Sequence, residues 1–424
     1  MTDHDPIESF LRDVRRNSAP EKDSKWELDL IRQLVNESYN LKTAKPEASL
    51  GRILAAAFDL AVSAAYYRYV SQRGWFYCPS PSPRLYFHFT NCCPRHALDN
   101  SFYFNKSNKP ESANIGEVTS RILRRFISVL FEKNNVKAQV LKGKEPIDIV
   151  ILEDAGQNLF FGEVKAAPLL TLPLAKDAEP FKDEEGNLLK DHDAPVAVSP
   201  IYKTPIKLFV PKRDDNSKWT EHLFTLGSIE NEDDSFWGYR SLLSLLSSDK
   251  TFFSTFFDFW DNALTFYHPK RKQSIFWLTN GSGEPNPAPP HWPSRKGGNG
   301  KNPESVSDSK TSVGMDRTDD IKKGIYQILK IGVENKPSKS KWKLRLGIIS
   351  NIHAARHFEE YLSSLQNLVW TLDETGKAQK ASDLDDNHPL YNLFDGIITF
   401  TQSHIRDPWL KSMFDFEAKW KIQN

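Results

Sequence analysis

The sequence predicts an α/β fold: a mixed sheet flanked by helices, with an N-terminal helical region and a large insertion. Three observations carry that expectation. The 424 residues are 39% apolar and 26% charged, an ordinary globular balance in a chain long enough to bury a core in about two or three domains. From residue 111 on, the apolar spacing alternates between helical and strand periods in the order helix, three strands, helix, strand, once a long insertion is set aside. One strand, IDIVILE from Ile147, is apolar on both faces, as a central strand is.

The first region, residues 1–110, reads as mainly helical. KWELDLIRQLVNESYNL from Lys25 and SLGRILAAAFDLAVSAAYYRYVSQRG from Ser49 have three- and four-residue apolar spacing, with Gly74 as the stop of the second. RLYFHFTNCCPRH from Arg84 alternates like a strand running into a turn, and residues 105–114 form a polar connector. The core, residues 111–424, opens on a helix with Ile115, Val118, Ile122, Phe126 and Val129 on one face and Arg121, Arg124 and Arg125 mostly off it. VKAQVL, IDIVILE and NLFFGEVK are the strands, the last two joined by the turn DAGQ.

The insertion spans 166–313. Its aromatic middle, from Ser235 to Tyr267, predicts helices, and residues 280–312, dense in Gly, Pro and Ser, predict a flexible loop. TDDIKKGIYQILKIG is the next helix. Thr318 is its cap, Asp319 and Asp320 face the positive end of the dipole, Ile321, Ile325, Ile328 and Leu329 form the buried face, and Gly332 is the stop. A strand KLRLGIIS, a helix over 353–366, a strand DGIITF and one last helix from Pro408 complete the chain.

A net charge of +1 gives no global field toward nucleic acid or an anionic membrane, so a polyanion is held by local patches. The basic stretches HPKRK, PSRKGGNGK and KPSKSKWK, with Trp292 and Trp342 as exposed aromatics beside them, are the candidates for tracking phosphates. Three cysteines make no disulfide framework, and the start lacks the basic-then-apolar order of a signal peptide. ILAAAFDLAVSAAYY is too short to span a bilayer and carries Asp59. A cytoplasmic protein with no membrane partner is expected.

The chemistry concentrates between Glu145 and Pro168, in EPIDIVILEDAGQNLFFGEVKAAP. Charge in an apolar strand is costly unless something compensates it. Glu163 and Lys165, two apart on a strand, share a face, and the DAGQ turn puts Asp148 on the neighbouring strand. Two carboxylates forced together repel unless a cation sits between them. Mg²⁺, which takes oxygen ligands and keeps several waters, suits such a pair. The bland alternative is a hairpin ion pair of these acids with Lys165 or Lys142, worth little.

The residues PID and EVK in this order resemble the PD-(D/E)xK nuclease signature of type II restriction endonucleases and many repair nucleases. The resemblance covers roughly Ile115 to Lys165 and Thr318 to Phe400. Ile147 stands between Pro146 and the acid, where the commonest form of the motif has them adjacent. It implies a restriction-endonuclease-like core in the order α-β-β-β-α-β. Asp148 and Glu163 would be metal ligands, with the Val164 carbonyl as a further one, and Lys165 would act on the attacking water. Glu117 and Gln327 would be accessory catalytic residues from the flanking helices, with Lys323 and Lys330 on the stripe of Gln327. The activity implied is a Mg²⁺-dependent type II endodeoxyribonuclease that cuts double-stranded DNA at a specific sequence and leaves 5′-phosphate and 3′-hydroxyl ends. The insertion and N-terminal region would read the DNA, a palindromic site favours a homodimer, and a restriction-modification system requires a cognate DNA methyltransferase. The rival readings are a repair or recombination nuclease of the same fold and a non-enzymatic DNA-binding protein.

Two further groups have metal-ligating residue types. Zinc at Cys78, Cys92, Cys93 and His96, with His88 in reserve, matches no standard finger spacing, so buried thiols are the expected state. His353 and His357, four apart on the expected helix, lack the glutamate of a zinc protease and read as surface histidines.

Overall fold

The computed structural model describes residues 5–17, 25–189, 195–196, 204–231, 233–268, 274–290, 292–293, 313–316, 318–355, 357–372 and 381–423. Helices α1 (Pro6–Asn17), α2 (Lys25–Ala44) and α3 (Leu50–Tyr66) precede a hairpin of β1 (Trp75–Cys78) and β2 (Arg84–Phe87) and the short α4 (Pro94–Leu98). Helix α5 (Ser112–Lys133) leads into β3 (Gln139–Lys142), β4 (Ile149–Glu153) and β5 (Asn158–Val164). The insertion supplies β6 (Leu174–Asp177), β7 (Pro195–Val196), β8 (Ile206–Phe209), β9 (Lys212–Arg213), β10 (Trp219–Thr220), β11 (Leu223–Gly227), α6 (Trp237–Ser248) and α7 (Phe252–Tyr267). After it come α8 (Thr318–Asn335), β12 (Lys343–Ser350), the pair β13 (Val369–Trp370) and β14 (Tyr391–Asn392), β15 (Gly396–Thr399), β16 (His404–Ile405), α9 (Pro408–Phe414) and α10 (Phe416–Gln423).

The chain is mixed α/β. One six-stranded sheet has the order β16-β15-β12-β5-β4-β3, in which β12 runs parallel to β5 and β15 and the remaining pairs are antiparallel. Because side chains alternate across a strand, β4 and β5 divide two cores between them. Ile149, Ile151, Phe160 and Val164 join α2, α3 and α5 in the larger core, while Val150, Leu152, Leu159 and Phe161 join α1 and α8 in the smaller. The second sheet is antiparallel, in the order β11-β8-β6-β2-β1-β7. It draws strands from the N-terminal region and from the insertion, so the two segments set apart in sequence share one sheet.

By length and composition Leu50–Tyr69 would suffice to cross a membrane, but 89% of its most apolar 18-residue window is buried within the protein. Its Asp59 lies wholly inside and accepts hydrogen bonds from Leu170 N (2.9 Å) and Trp260 Nε1 (2.7 Å). Burial pushes Asp59 up to about 8 even though those donors favour the anion.

Several expected elements differ. Helix α3 ends at Tyr66, and a short 3₁₀ turn, Tyr67–Tyr69, separates it from Gly74. Gly332 does not stop α8, which runs to Asn335; a Cβ there would come within 3.1 Å of Leu346 Cδ1, so this glycine serves close packing. Ile321, Ile328 and Ile331 are the buried face, Ile325 is half-buried, and Leu329 is turned outward. The expected helix over 353–366 shrinks to one π turn, Phe358–Leu362, because His353 N bonds to Thr401 Oγ1 (2.9 Å) and the Phe358 ring stacks on His404. The last helix is two, broken at Asp415, whose carboxylate caps Ala418 N. Strand β1 and the insertion strands were not legible in sequence. Trp292 and Trp342 are buried rather than exposed: Trp292 packs on Phe104, and Trp342 Nε1 donates to Glu8 Oε1. The side chain of Thr318, most of HPKRK and PSRKGGNGK, and residues 294–312 of the expected loop lie outside what the structure describes.

Candidate active site

The site grows from the β4–β5 hairpin. Its register pairs Ile149 with Gly162, and just before β4 Asp148 comes close enough to Glu163 for their carboxyl groups to interact. Asp148 N donates to Gly162 O (3.1 Å), and Asp148 Oδ2 accepts from Val164 N (2.9 Å), which fixes the carboxylate against β5. On the same face, Lys165 Nζ forms an ion pair with Glu163 Oε1, while Lys165 N bonds to Ile349 O of β12 (3.0 Å). Gly143 allows the chain before Asp148 to fold this tightly: its N–H bonds to Asp148 O, and a Cβ there would lie 2.0 Å from Ile147 O.

Glu163 is buried. Burial, and next the charge of Asp148, push it up to about 7, with Lys165 pulling the other way. Lys165 thus offsets burial and the neighbouring carboxylate only in part. The unbalanced negative charge and an all-oxygen donor set of Asp148, Glu163 and the Val164 carbonyl are what a hard divalent cation fits.

A cavity of about 580 Å³ opens over the hairpin, lined by Asp148, Glu163, Val164 and Lys165 together with Glu117 of α5 and Gln327 of α8. All six residues picked from sequence thus meet at one opening. They are not equally placed. Glu117 has a side chain 74% exposed and 3.9 Å from Arg121 Nη1, and Gln327 is half-buried; Lys323 and Lys330 are exposed and not among the lining residues. Arg124 and Lys142 also line the cavity. The sequence offered Lys142 only as an ion-pair partner of the two acids and did not assign Arg124, although Arg124 stands two helical turns after Glu117, on the same side of α5.

The other candidates separate clearly. Cys78, Cys93 and His96 bring their donor atoms within 4.8 Å of one another, a group able to hold a metal ion. Cys92 turns away, with Sγ donating to Cys93 O (3.6 Å). His353 and His357 share no helix face, and His353 is buried between Phe358 and His404 instead of lying on the surface.

Comparison with known proteins adds no relative: no protein-family profile matches the chain, and no curated protein or solved structure is significantly similar to it.

Proposed function

We propose that the chain is a Mg²⁺-dependent endodeoxyribonuclease with a restriction-endonuclease-like core, acting as a type II restriction enzyme on double-stranded DNA. The observation that carries this reading is the undercompensated acidic pair. Asp148 and Glu163 interact at the end of the β4–β5 hairpin, with Lys165 beside Glu163 at the mouth of an open cavity. The order α5, β3, β4, β5, α8, β12 supports the same fold family.

In this reading Asp148, Glu163 and the Val164 carbonyl hold the ion. When bound, Mg²⁺ supplies charge for the phosphorus oxygens and the departing 3′ oxygen of an in-line displacement. The chain's own groups do the rest. Lys165 Nζ hydrogen-bonds the attacking water and orients it, and its charge also favours ionised Glu163. Val164 N–H holds Asp148 Oδ2 so that the other carboxylate oxygen can face the cavity. Arg124 and Lys142, on the wall, position the phosphates that flank the scissile one without reading sequence. Base reading would fall to the second sheet and the insertion, and a palindromic target would favour a twofold homodimer.

Incubating the full chain with plasmid and phage DNA and Mg²⁺, then sequencing the ends, tests the proposal. Discrete fragments with 5′-phosphates are expected, lost in Asp148→Ala and Lys165→Ala. Intact DNA under all divalent ions would refute it, and smears or cuts confined to branched substrates would replace sequence recognition with structure recognition.

A further inference from the structure

The cluster on the second sheet is independent of the nuclease reading. Cys78 closes β1, Cys93 immediately precedes α4, and His96 lies one turn into that helix. His96 Nδ1 lies 3.3 Å from Cys93 Sγ and 3.8 Å from Cys78 Sγ. A tetrahedral ion with Zn–S of about 2.3 Å and Zn–N of about 2.0–2.1 Å sets its sulfur and nitrogen corners roughly 3.6 Å apart. The two edges bracket that figure. Both cysteines are buried and no disulfide joins them.

We propose that Cys78, Cys93 and His96 form a zinc site, with Cys92 excluded from it. Two thiols each release a proton to solvent on binding, and their thiolates neutralise the ion, so the complex is uncharged where it is most buried. Arg95 donates to Cys78 Sγ (3.9 Å), as it would to a thiolate, and also to Glu221 Oε2 at 3.0 Å and to the Ser80 and Ser82 carbonyls at 2.7 Å. Among the described residues the group offers three protein donors. The ion ties the end of β1 to the start of α4, within a stretch whose backbone is also held by Cys93 N to Tyr103 O, Asn105 N to Asn91 O and Asn108 N to His88 O. Its role is to fix that stretch against the sheet that the insertion completes.

The test is metal content of the full-length protein, made with zinc supplied and dialysed against a weak chelator. Equimolar zinc is expected in the unaltered chain and in Cys92→Ser and Asp148→Ala, with a severalfold drop in Cys93→Ser and His96→Ala. Replacing zinc by cobalt in the unaltered chain should give thiolate-to-cobalt absorption, which needs no variant to fold. Substoichiometric zinc in the unaltered chain, no cobalt–thiolate band, or equal loss of zinc in Cys92→Ser and Cys93→Ser would overturn the site. Loss of zinc in Asp148→Ala would also overturn it, by assigning the ion to the other cavity.

Discussion

Two buried glutamates, Glu27 and Glu163, show opposite solutions to the same problem. Glu27 of α2 receives Arg121 at 3.1 Å, Arg125, and the Tyr239 hydroxyl at 2.7 Å. Burial pushes its pKa up, but the charge and hydrogen bonds of Arg121, with those of Arg125 and Tyr239, more than offset this and leave it below the ordinary range. Glu163 has one ammonium partner and one carboxylate rival, and ends at about 7. Glu27 is complete without anything from outside the protein. Glu163, raised first by burial and next by Asp148, faces an open cavity. A satisfied network reads as structure, an unsatisfied one as a place for a ligand.

The sharpest way to break this contrast is Glu27→Ala, which leaves Arg121 and Arg125 facing each other without their acid. It should cost about 3–5 kcal/mol of stability in denaturant unfolding; a loss below 1 kcal/mol would mean the network is loose. Glu163→Gln should do the reverse. Cleavage falls on the order of 10²-fold or more, while stability is unchanged or rises because the crowding with Asp148 is relieved. Plasmid cleavage and thermal melts on one preparation measure both.

The pH dependence separates the two acids further. Between the ordinary 4.5 and about 7, folded Glu163 keeps a proton that the unfolded chain has lost, so its contribution to stability declines as pH rises through that window. A cation needs the carboxylate, so Ca²⁺ affinity by calorimetry should strengthen as pH climbs toward 7 and level off above it. Glu27, lowered, contributes stability at neutral pH that disappears as pH drops below its ordinary range. The smallest effect is expected at exposed Glu117: Glu117→Gln should change stability by less than about 0.5 kcal/mol and slow cleavage by well under tenfold. A larger loss of cleavage would make it a direct partner of the substrate.

The hairpin chemistry was legible because it is local. A strand period of two, a tight turn and two acids are enough to put Asp148 and Glu163 on one face. Helix α5 was legible for the same reason, through the spacing of Val118, Ile122 and Phe126. What stayed hidden depends on distant partners. Arg121 and Arg125 look like solvated charge until Glu27, some 94 residues away in sequence, is brought against them. Strand β1 has too few residues to show a period, and its partners β2 and β7 come from different regions. Likewise, the turn at Phe358 is set by contacts with Thr401 and His404, which no local window contains.

The shared antiparallel sheet has a bearing on how the protein comes into being. Strand β2 hydrogen-bonds to β6 across 80 or more intervening residues, from Phe87 to Leu174, so a nascent chain halted before the insertion emerges would carry a hairpin with a bare edge. Loop closure over such a span is slow compared with local helix formation. The second sheet should therefore set last during synthesis, and excising the insertion would leave an exposed strand inviting aggregation.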